Sequence, residues 1–241
     1  MSQPDPFGRA ILDHHRDERD APLWTCYGSE RREHPVERFY FGTVDADDGL
    51  VSWVDGRLEG PLVDLGAGAG RHALYFGRDR EVVAVEPSEH LVTAMRERGV
   101  EDARRADMFD LGASFGRDRF RSALAYGTQV QLASSPTAFR RFLADLARVT
   151  TDDARAALHG YDPTLFGPDR PLGYEPDPAP GVAFRTMSFE YEGDRAAPLR
   201  FRLFSLDRLR ALAAGTAWRV ADADYVGADE PDQWLALLEK R

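Results

Sequence analysis

The strongest constraint on the fold is a cluster of glycines between two apolar segments. Residues 61–63 form an apolar run that leads into Asp64, and a second apolar run over residues 81–85 ends at Glu86. Between them, three glycines stand at alternate positions, Gly66, Gly68 and Gly70. This order predicts a strand, a tight turn, a helix, a second strand and a carboxylate. Because glycine lets the backbone turn sharply and approach a ligand closely, we expect an adenosine-containing cofactor at the ends of parallel strands.

The spacing of the glycines helps to distinguish between adenosine-containing cofactors. A dinucleotide-binding sequence G-x-G-x-x-G that starts at Gly66 needs a small residue at position 71, where this chain has Arg71. The Asp64 carboxylate can accept hydrogen bonds from an amino-acid ammonium group, which NAD lacks. An NAD-dependent oxidoreductase is therefore the disfavoured alternative.

Residues 64–70 resemble motif I, (D/E)-x-G-x-G-x-G, of the class I S-adenosylmethionine-dependent methyltransferases, a Rossmann-like family. Glu86 matches the acidic residue that binds the two ribose hydroxyls in that family. The resemblance implies that the cofactor is S-adenosyl-L-methionine and that the motif contacts its methionine part. The cofactor-binding residues implied by this part of the chain are Asp64, Gly66, Ala67, Gly68, Gly70, Glu86 and Pro87.

Two later segments match the same family in the expected order. Residues 104–108 resemble the third-strand motif, in which an acid accepts from the adenine amino group, and this places Asp107 and Met108 at the adenine. Residues 120–126 fit the fourth strand. Tyr126 at its end would lie where the methionine part of the cofactor meets the substrate, so it is both a cofactor-binding and a catalytic candidate.

The resemblance covers residues 61–160 most strongly and implies a fold. We expect an α/β structure with a doubly wound, seven-stranded, mostly parallel sheet, helices on both faces and an antiparallel last strand. The alternation of strand-like and helix-like segments supports parallel strands with right-handed crossovers. We expect one domain over residues 1–241, made of an N-terminal cap segment (1–57), a cofactor-binding core (61–160), an insertion (161–204) and a C-terminal part (205–241).

The segments outside the core have their own patterns. In the cap, a helix is expected over residues 7–15, and the β-prone runs at 23–27 and 36–41 suggest strands. Residues 162–181 contain six prolines and should form an irregular loop. Residues 182–191 and 199–204 then resemble a β-hairpin, which we expect to shape substrate access.

Two runs near the C-terminus complete the expected sheet. Residues 218–226 and 233–238 are apolar enough for strands, although the second could also be a helix. Three serines mark expected helix starts in the core and after the insertion, namely Ser88, Ser135 and Ser205.

Charge and composition limit the partners. The formal net charge of −10 disfavours a nucleic-acid partner, since phosphate binding needs a basic surface. No apolar run approaches the ~20 residues that span a bilayer, and residues 1–6 lack the features of a secretory signal. The lone Cys26 has no disulfide partner and no metal-ligand spacing. We expect a cytoplasmic protein without a metal, and the sequence leaves its oligomeric state open.

The sequence indicates the methyl acceptor less clearly than it indicates the cofactor. Methyl transfer from a sulfonium depends mainly on alignment in a dry pocket, and a base is needed only when the accepting atom loses a proton. His159, near the end of the fifth strand, is the best base candidate, with a structural role as the alternative. Tyr40 could line the same pocket.

Residues 126–129 lack the N-P-P-Y type of signature that accompanies methylation of planar amino groups. Together with the acidic charge, this favours a small-molecule acceptor with an oxygen, nitrogen or sulfur nucleophile. The remaining alternative is a non-catalytic, S-adenosylmethionine-binding regulatory protein, because the chemistry has no obligatory residue whose loss the sequence would reveal.

Overall fold

The computed structural model describes residues 4–44, 49–226 and 232–241. The helices in these residues are α1 (Pro6–His15), α2 (Gly49–Val54), α3 (Arg71–Phe76), α4 (Glu89–Glu97), α5 (Leu111–Ser114), α6 (Pro136–Val149) and α7 (Leu206–Ala213). The strands are β1 (Trp24–Tyr27), β2 (Glu30–Glu33), β3 (Leu62–Leu65), β4 (Val82–Glu86), β5 (Asp102–Arg105), β6 (Phe120–Ala125), β7 (Thr150–Tyr161), β8 (Tyr174–Pro176), β9 (Val182–Tyr191), β10 (Asp194–Arg195), β11 (Leu199–Phe204), β12 (Trp218–Val226) and β13 (Gln233–Lys240). A π-helical turn covers Glu37–Phe41, and 3-10 turns cover Met108–Asp110 and Gln129–Leu132.

The larger sheet has seven strands in the order β12-β13-β7-β6-β3-β4-β5. Strands β3 to β7 pair in parallel, whereas β13 runs antiparallel to both of its neighbours. The expected doubly wound sheet with an antiparallel last strand is therefore confirmed, and residues 233–238 are part of a strand. Residues 234–238 are buried, because β13 lies inside the sheet rather than at its edge.

The apolar runs form central strands because helices cover both faces of this sheet. All residues of β3 and β4 are buried, as expected for parallel strands covered on both sides. Phe139, Phe142 and Leu146 of α6 pack on one face, while Phe76 and Met95 pack on the other. The serines Ser88, Ser135 and Ser205 each accept the N–H of the residue three positions on, which confirms the predicted helix starts.

A second sheet joins the cap to the insertion. Strand β9 pairs antiparallel with β1 from the cap and with β8, β10 and β11 from the insertion, while β2 extends the sheet beyond β1. The predicted hairpin is present, with Val182 opposite Phe204 and Met187 opposite Leu199. Two segments that are far apart in sequence thus share one six-stranded sheet.

One cap strand was predicted at the wrong place. Residues 36–41 do not form a strand, since Glu37–Phe41 is a π-helical turn, and its Tyr40 and Phe41 side chains pack against one apolar cluster of the cap and β9. The second cap strand is instead β2, four exposed charged residues at the sheet edge. Gly28, with φ +63°, allows the turn that folds β2 back onto β1. Backbone pairing therefore outweighs the low strand propensity of these residues.

None of the helices in the part of the chain described by the structure has both the length and the apolar character needed to cross a membrane.

Candidate active site

The glycine-rich turn between β3 and α3 depends on left-handed backbone that only glycine adopts readily. Gly66, Gly68 and Gly70 have φ values of +70°, +57° and +78°. The N–H of Gly66 donates to the Val85 carbonyl at 3.0 Å. A Cβ on Gly66 would lie 2.8 Å from the Gln129 side chain. The turn is therefore packed tightly between β4 and the segment that follows β6.

Asp64 places a buried carboxylate under this turn. The residue is 3 % exposed, and its Oδ2 atom has no hydrogen-bond partner among the described residues. Burial raises the pKa of Asp64 to about 7, and a hydrogen bond from the Ala73 backbone opposes the shift. Because an unpartnered buried carboxylate oxygen is costly, this atom favours a ligand that donates a hydrogen bond.

Glu86 places a second buried carboxylate at the end of the neighbouring strand. Its Oε2 atom accepts the Gly68 N–H at 3.2 Å, which ties the carboxylate to the turn. Burial raises the pKa of Glu86 to about 7; hydrogen bonds from the Gly68 and Ser88 backbone oppose this shift, while the charges of Asp5 and Asp64 add to it. Two carboxylates for which the described residues supply no ion pair therefore lie at the carboxyl ends of β3 and β4.

Three residues of the predicted cofactor-binding set follow the ends of β4 and β5, namely Pro87 after β4 and the two predicted at the adenine, Asp107 and Met108, after β5. Pro87 and Asp107 are exposed, whereas Met108 is 5 % exposed and belongs to the core. Asp107 Oδ1 accepts the Phe109 N–H at 2.8 Å, so this side chain begins the 3-10 turn after β5. The Ala106 N–H donates to the Glu86 carbonyl, which holds the two strand ends together.

The two catalytic candidates are in ring contact. Tyr126 follows β6 and His159 lies on β7, and their ring centroids are 4.3 Å apart. The His72 ring, from α3, also contacts Tyr126, with 5.0 Å between the ring centroids. Three segments of the chain therefore converge at this edge of the sheet.

Both ring nitrogens of His159 are engaged. Nδ1 accepts the Thr128 N–H at 3.3 Å, and Nε2 donates to Gln233 Oε1 at 2.9 Å. The ring is 3 % exposed, and burial lowers the pKa of His159 to about 4. The imidazole is therefore neutral, and its lone pair is already in use.

We expect the His159 ring signals to be independent of pH between 8 and 5. Burial and the two hydrogen bonds hold the neutral form, whereas a free imidazole titrates near 6.5. Two-dimensional NMR of 15N-histidine-labelled protein, assigned with a His159→Gln variant, measures this directly. A titration midpoint above 6 for that signal would contradict the neutral, fully bonded ring.

The cap contributes Tyr40, whose part in the site was only weakly indicated by the sequence. A Cβ on Gly68 would lie 3.5 Å from the Tyr40 ring, so this ring covers the glycine turn. The Tyr40 hydroxyl bonds His34 Nε2 at 3.0 Å, and His34 Nδ1 bonds Thr25 Oγ1 at 2.9 Å. Burial raises the pKa of Tyr40, and the nearby Glu86 carboxylate raises it further.

Arg98 is a site residue that no sequence pattern singled out. Its Nη1 atom donates to the Tyr40 carbonyl at 3.0 Å and also to the Ala69 carbonyl. The side chain thus ties the cap to the glycine turn from the end of α4. An arginine after a helix is common, and only the three-dimensional contacts reveal this role.

Across residues 4–44, 49–226 and 232–241, no three His, Cys, Asp or Glu side chains form a group that could hold a metal ion.

The sequence matches no protein-family model and no curated protein. Solved structures resemble it more clearly. An S-adenosylmethionine-dependent methyltransferase from Bacteroides fragilis, in complex with S-adenosyl-L-homocysteine, is 21% identical, with 99% of this chain and 98% of that chain covered and a TM-score of 0.78.

Two further neighbours are named by their acceptors. The 1,6-didemethyltoxoflavin-N1-methyltransferase of Burkholderia thailandensis is 19% identical over 74% of this chain and 70% of its own, with a TM-score of 0.51. A sugar N-methyltransferase from Streptoalloteichus is 14% identical over 73% and 78%, with a TM-score of 0.53. The chain therefore has the fold of the class I S-adenosylmethionine-dependent methyltransferases.

Proposed function

We propose that this chain is an S-adenosylmethionine-dependent methyltransferase that acts on a small-molecule acceptor. The observation that supports this most strongly is the pair of buried carboxylates, Asp64 and Glu86, at the carboxyl ends of adjacent strands on a methyltransferase fold. The oxygens of these carboxylates can accept hydrogen bonds from an ammonium group and from the two hydroxyls of a ribose. The residues present thus fit this cofactor.

Each part of the cofactor has matching residues. We assign the Asp64 carboxylate to the ammonium group, because its Oδ2 has no partner among the described residues. Glu86 accepts from the ribose hydroxyls, and Asp107 lies one strand farther, at the adenine. The proposed cofactor-binding set is Asp64, Gly66, Ala67, Gly68, Gly70, Glu86, Pro87, Asp107, Met108 and Tyr126.

The chemistry requires little of the protein beyond placement. When bound, S-adenosylmethionine supplies a methyl group that its sulfonium has already activated. The glycine turn and the two carboxylates fix the donor, while the Tyr40 ring covers the turn and helps to exclude water. Alignment of this kind can supply several kcal/mol, about 7–11 in favourable intramolecular cases.

We propose that His159 positions Tyr126 rather than removing a proton from the acceptor. Its ring lies against Tyr126, and both of its nitrogens are engaged, one by the Thr128 amide and the other by Gln233. A lone pair that already accepts a hydrogen bond is not available as a base. Tyr126 then remains the candidate that contacts both donor and acceptor.

We propose that the whole chain acts as one methyltransferase domain in which cap and insertion enclose the acceptor. The shared sheet supports this, because β9 pairs with strands of both segments. A neighbour of the same fold was solved with 1,6-didemethyltoxoflavin bound, which supports a small-molecule acceptor here.

Calorimetry and a transfer assay test the proposal together. We expect S-adenosylmethionine and S-adenosylhomocysteine to bind and NAD to give no binding heat. A metabolite extract incubated with methyl-labelled S-adenosylmethionine should yield a labelled small molecule. Binding of NAD alone would favour the oxidoreductase, and cofactor binding without label transfer would favour the regulatory protein.

A further inference from the structure

The inner face of β9 extends from the glycine turn toward the end of β7. Side chains alternate along a strand, so Arg185, Met187 and Phe189 share one face. Phe189 packs with the cap aromatics in the cluster that includes Ala69 of the turn. Met187 contacts both this cluster and a second one, around Tyr161. From Phe189 to Arg185 the strand rises roughly 13 Å, at about 3.3 Å per residue.

Arg185 lies at the Tyr161 end of this face, where it contacts phenols instead of a carboxylate. Its Nη2 atom donates to the Tyr27 hydroxyl at 3.0 Å, and its Nε atom donates to the Leu172 carbonyl at 3.2 Å. Burial raises the pKa of Tyr161, and the Arg185 guanidinium opposes that shift. Arg185 forms no ion pair with any residue in the described ranges.

Two arginines on the opposite face of the same sheet, Arg31 and Arg200, differ in this respect. Arg31 pairs with Glu190 at 3.2 Å, and Arg200 pairs with Glu175 at 3.3 Å. The inner position is also half-buried, where an unpaired charge costs more than at the surface. Arg185 is therefore able to pair with an anion that a ligand supplies.

Asp232 is an acidic residue that interacts electrostatically with Arg185. Burial raises its pKa, and the Arg185 charge acts in the opposite direction. The Asp232 carboxylate lies beyond ion-pair distance from Arg185. It therefore weakens the positive potential at Arg185 but leaves the guanidinium able to pair with another anion.

The position fits an acceptor site. Tyr161 is the last residue of β7, two residues after His159, and the acceptor of a doubly wound sheet lies beyond such strand ends. Phe166 contacts Tyr161 at 5.9 Å and Tyr174 at 5.8 Å between ring centroids. Aromatic rings therefore line the region beside the guanidinium.

We propose that Arg185, together with the hydroxyls of Tyr27 and Tyr161, binds a carboxylate of the methyl acceptor. The acceptor is then an aromatic carboxylic acid whose accepting atom is held near Tyr126, which contacts His159 two residues before Tyr161 on β7. The planar guanidinium fork matches a carboxylate in two parallel hydrogen bonds. This inference rests on the proposed function and narrows its substrate class.

Matched acid and amide probes test the proposal. The probes are 4-hydroxybenzoate, 4-hydroxyphenylacetate and 4-hydroxycinnamate, each compared with its primary amide by calorimetry on protein saturated with S-adenosylhomocysteine. We expect at least one acid to bind about 10-fold or more tightly than its amide, the range of a charge-assisted bidentate pair. Arg185→Gln should remove this preference, Arg185→Lys should keep part of it, and the matched control Arg200→Gln should keep all of it.

Two results would overturn the proposal. One is that no acid of the panel binds the wild-type protein; the other is that the preference for acids survives Arg185→Gln. The comparison of acid with amide on the wild-type chain stands even if Arg185→Gln fails to fold. Failure of the wild-type chain to bind S-adenosylhomocysteine is a separate result, and it would contradict the proposed function instead.

Discussion

Replacing Asp64 by asparagine will stabilise the ligand-free chain at pH 8 while weakening S-adenosylhomocysteine binding about 10- to 100-fold. The loss in affinity follows from removing a charged acceptor for the ammonium group, worth roughly 1.5–3 kcal/mol. The gain in stability, about 1–3 kcal/mol, arises because the buried carboxylate must ionise at high pH, and none of the residues that the structure describes forms an ion pair with it.

The sign of the pH effect is specific. The folded-state pKa of Asp64 is raised to about 7, above the value of about 3.9 in an unfolded chain, so its stabilising contribution is fully present below pH 4 and is lost as the pH rises through 7. The advantage of Asp64→Asn should therefore be largest above pH 7 and shrink toward pH 4. Chemical denaturation across this range measures it.

The same substitution at the exposed Asp20 is the matched control, with an expected change within about 0.5 kcal/mol at every pH. If Asp64→Asn destabilised the ligand-free chain at pH 8, the carboxylate would have a partner that the structure does not show.

Replacing Gly70 by alanine will lower the free energy of unfolding by about 2–5 kcal/mol. Gly70 has φ +78° and precedes α3, and the new Cβ would lie 2.7 Å from Val100 Cγ2 and 2.9 Å from Met95 Cγ. Left-handed backbone costs a non-glycine residue about 1–2 kcal/mol, and overpacking adds about 1–3. For a chain of this size, we expect a fall in thermal midpoint of roughly 4–20 °C.

Gly99→Ala separates the two contributions. Gly99 also has a positive φ, +96°, but nothing lies within 4 Å of the position that its Cβ would take. This variant should lose only the backbone part, about 1–2 kcal/mol. Equal losses for the two variants would show that packing at the start of α3 adds nothing.

The parts of the fold that were predicted correctly depend on residues that are close together in the sequence. The glycine turn, the serine caps and the apolar runs of β3 and β4 each depend on a few consecutive residues. The strand β2 was missed because its four charged residues have low strand propensity and are held by pairing with β1. Local patterns cannot report such a pairing.

Residues at the acceptor side were harder to predict for a related reason. Whether His159 is free to act as a base depends on Gln233, which is 74 positions away in sequence. The environment of Arg185 likewise depends on Tyr27, 158 positions away. Because these contacts join residues that are far apart in sequence, no local sequence motif indicates them.

The shared strand β9 limits how this protein can change in evolution. Its pairing with β1 and β11 fixes which side chains point inward, and a one-residue slip of this register would move Arg185, Met187 and Phe189 to the outer face together. Insertions and deletions should therefore be tolerated in the loops around β9 but not within it. Acceptor preference can then diversify by single substitutions on the inner face, while the length of this strand stays constant across its descendants.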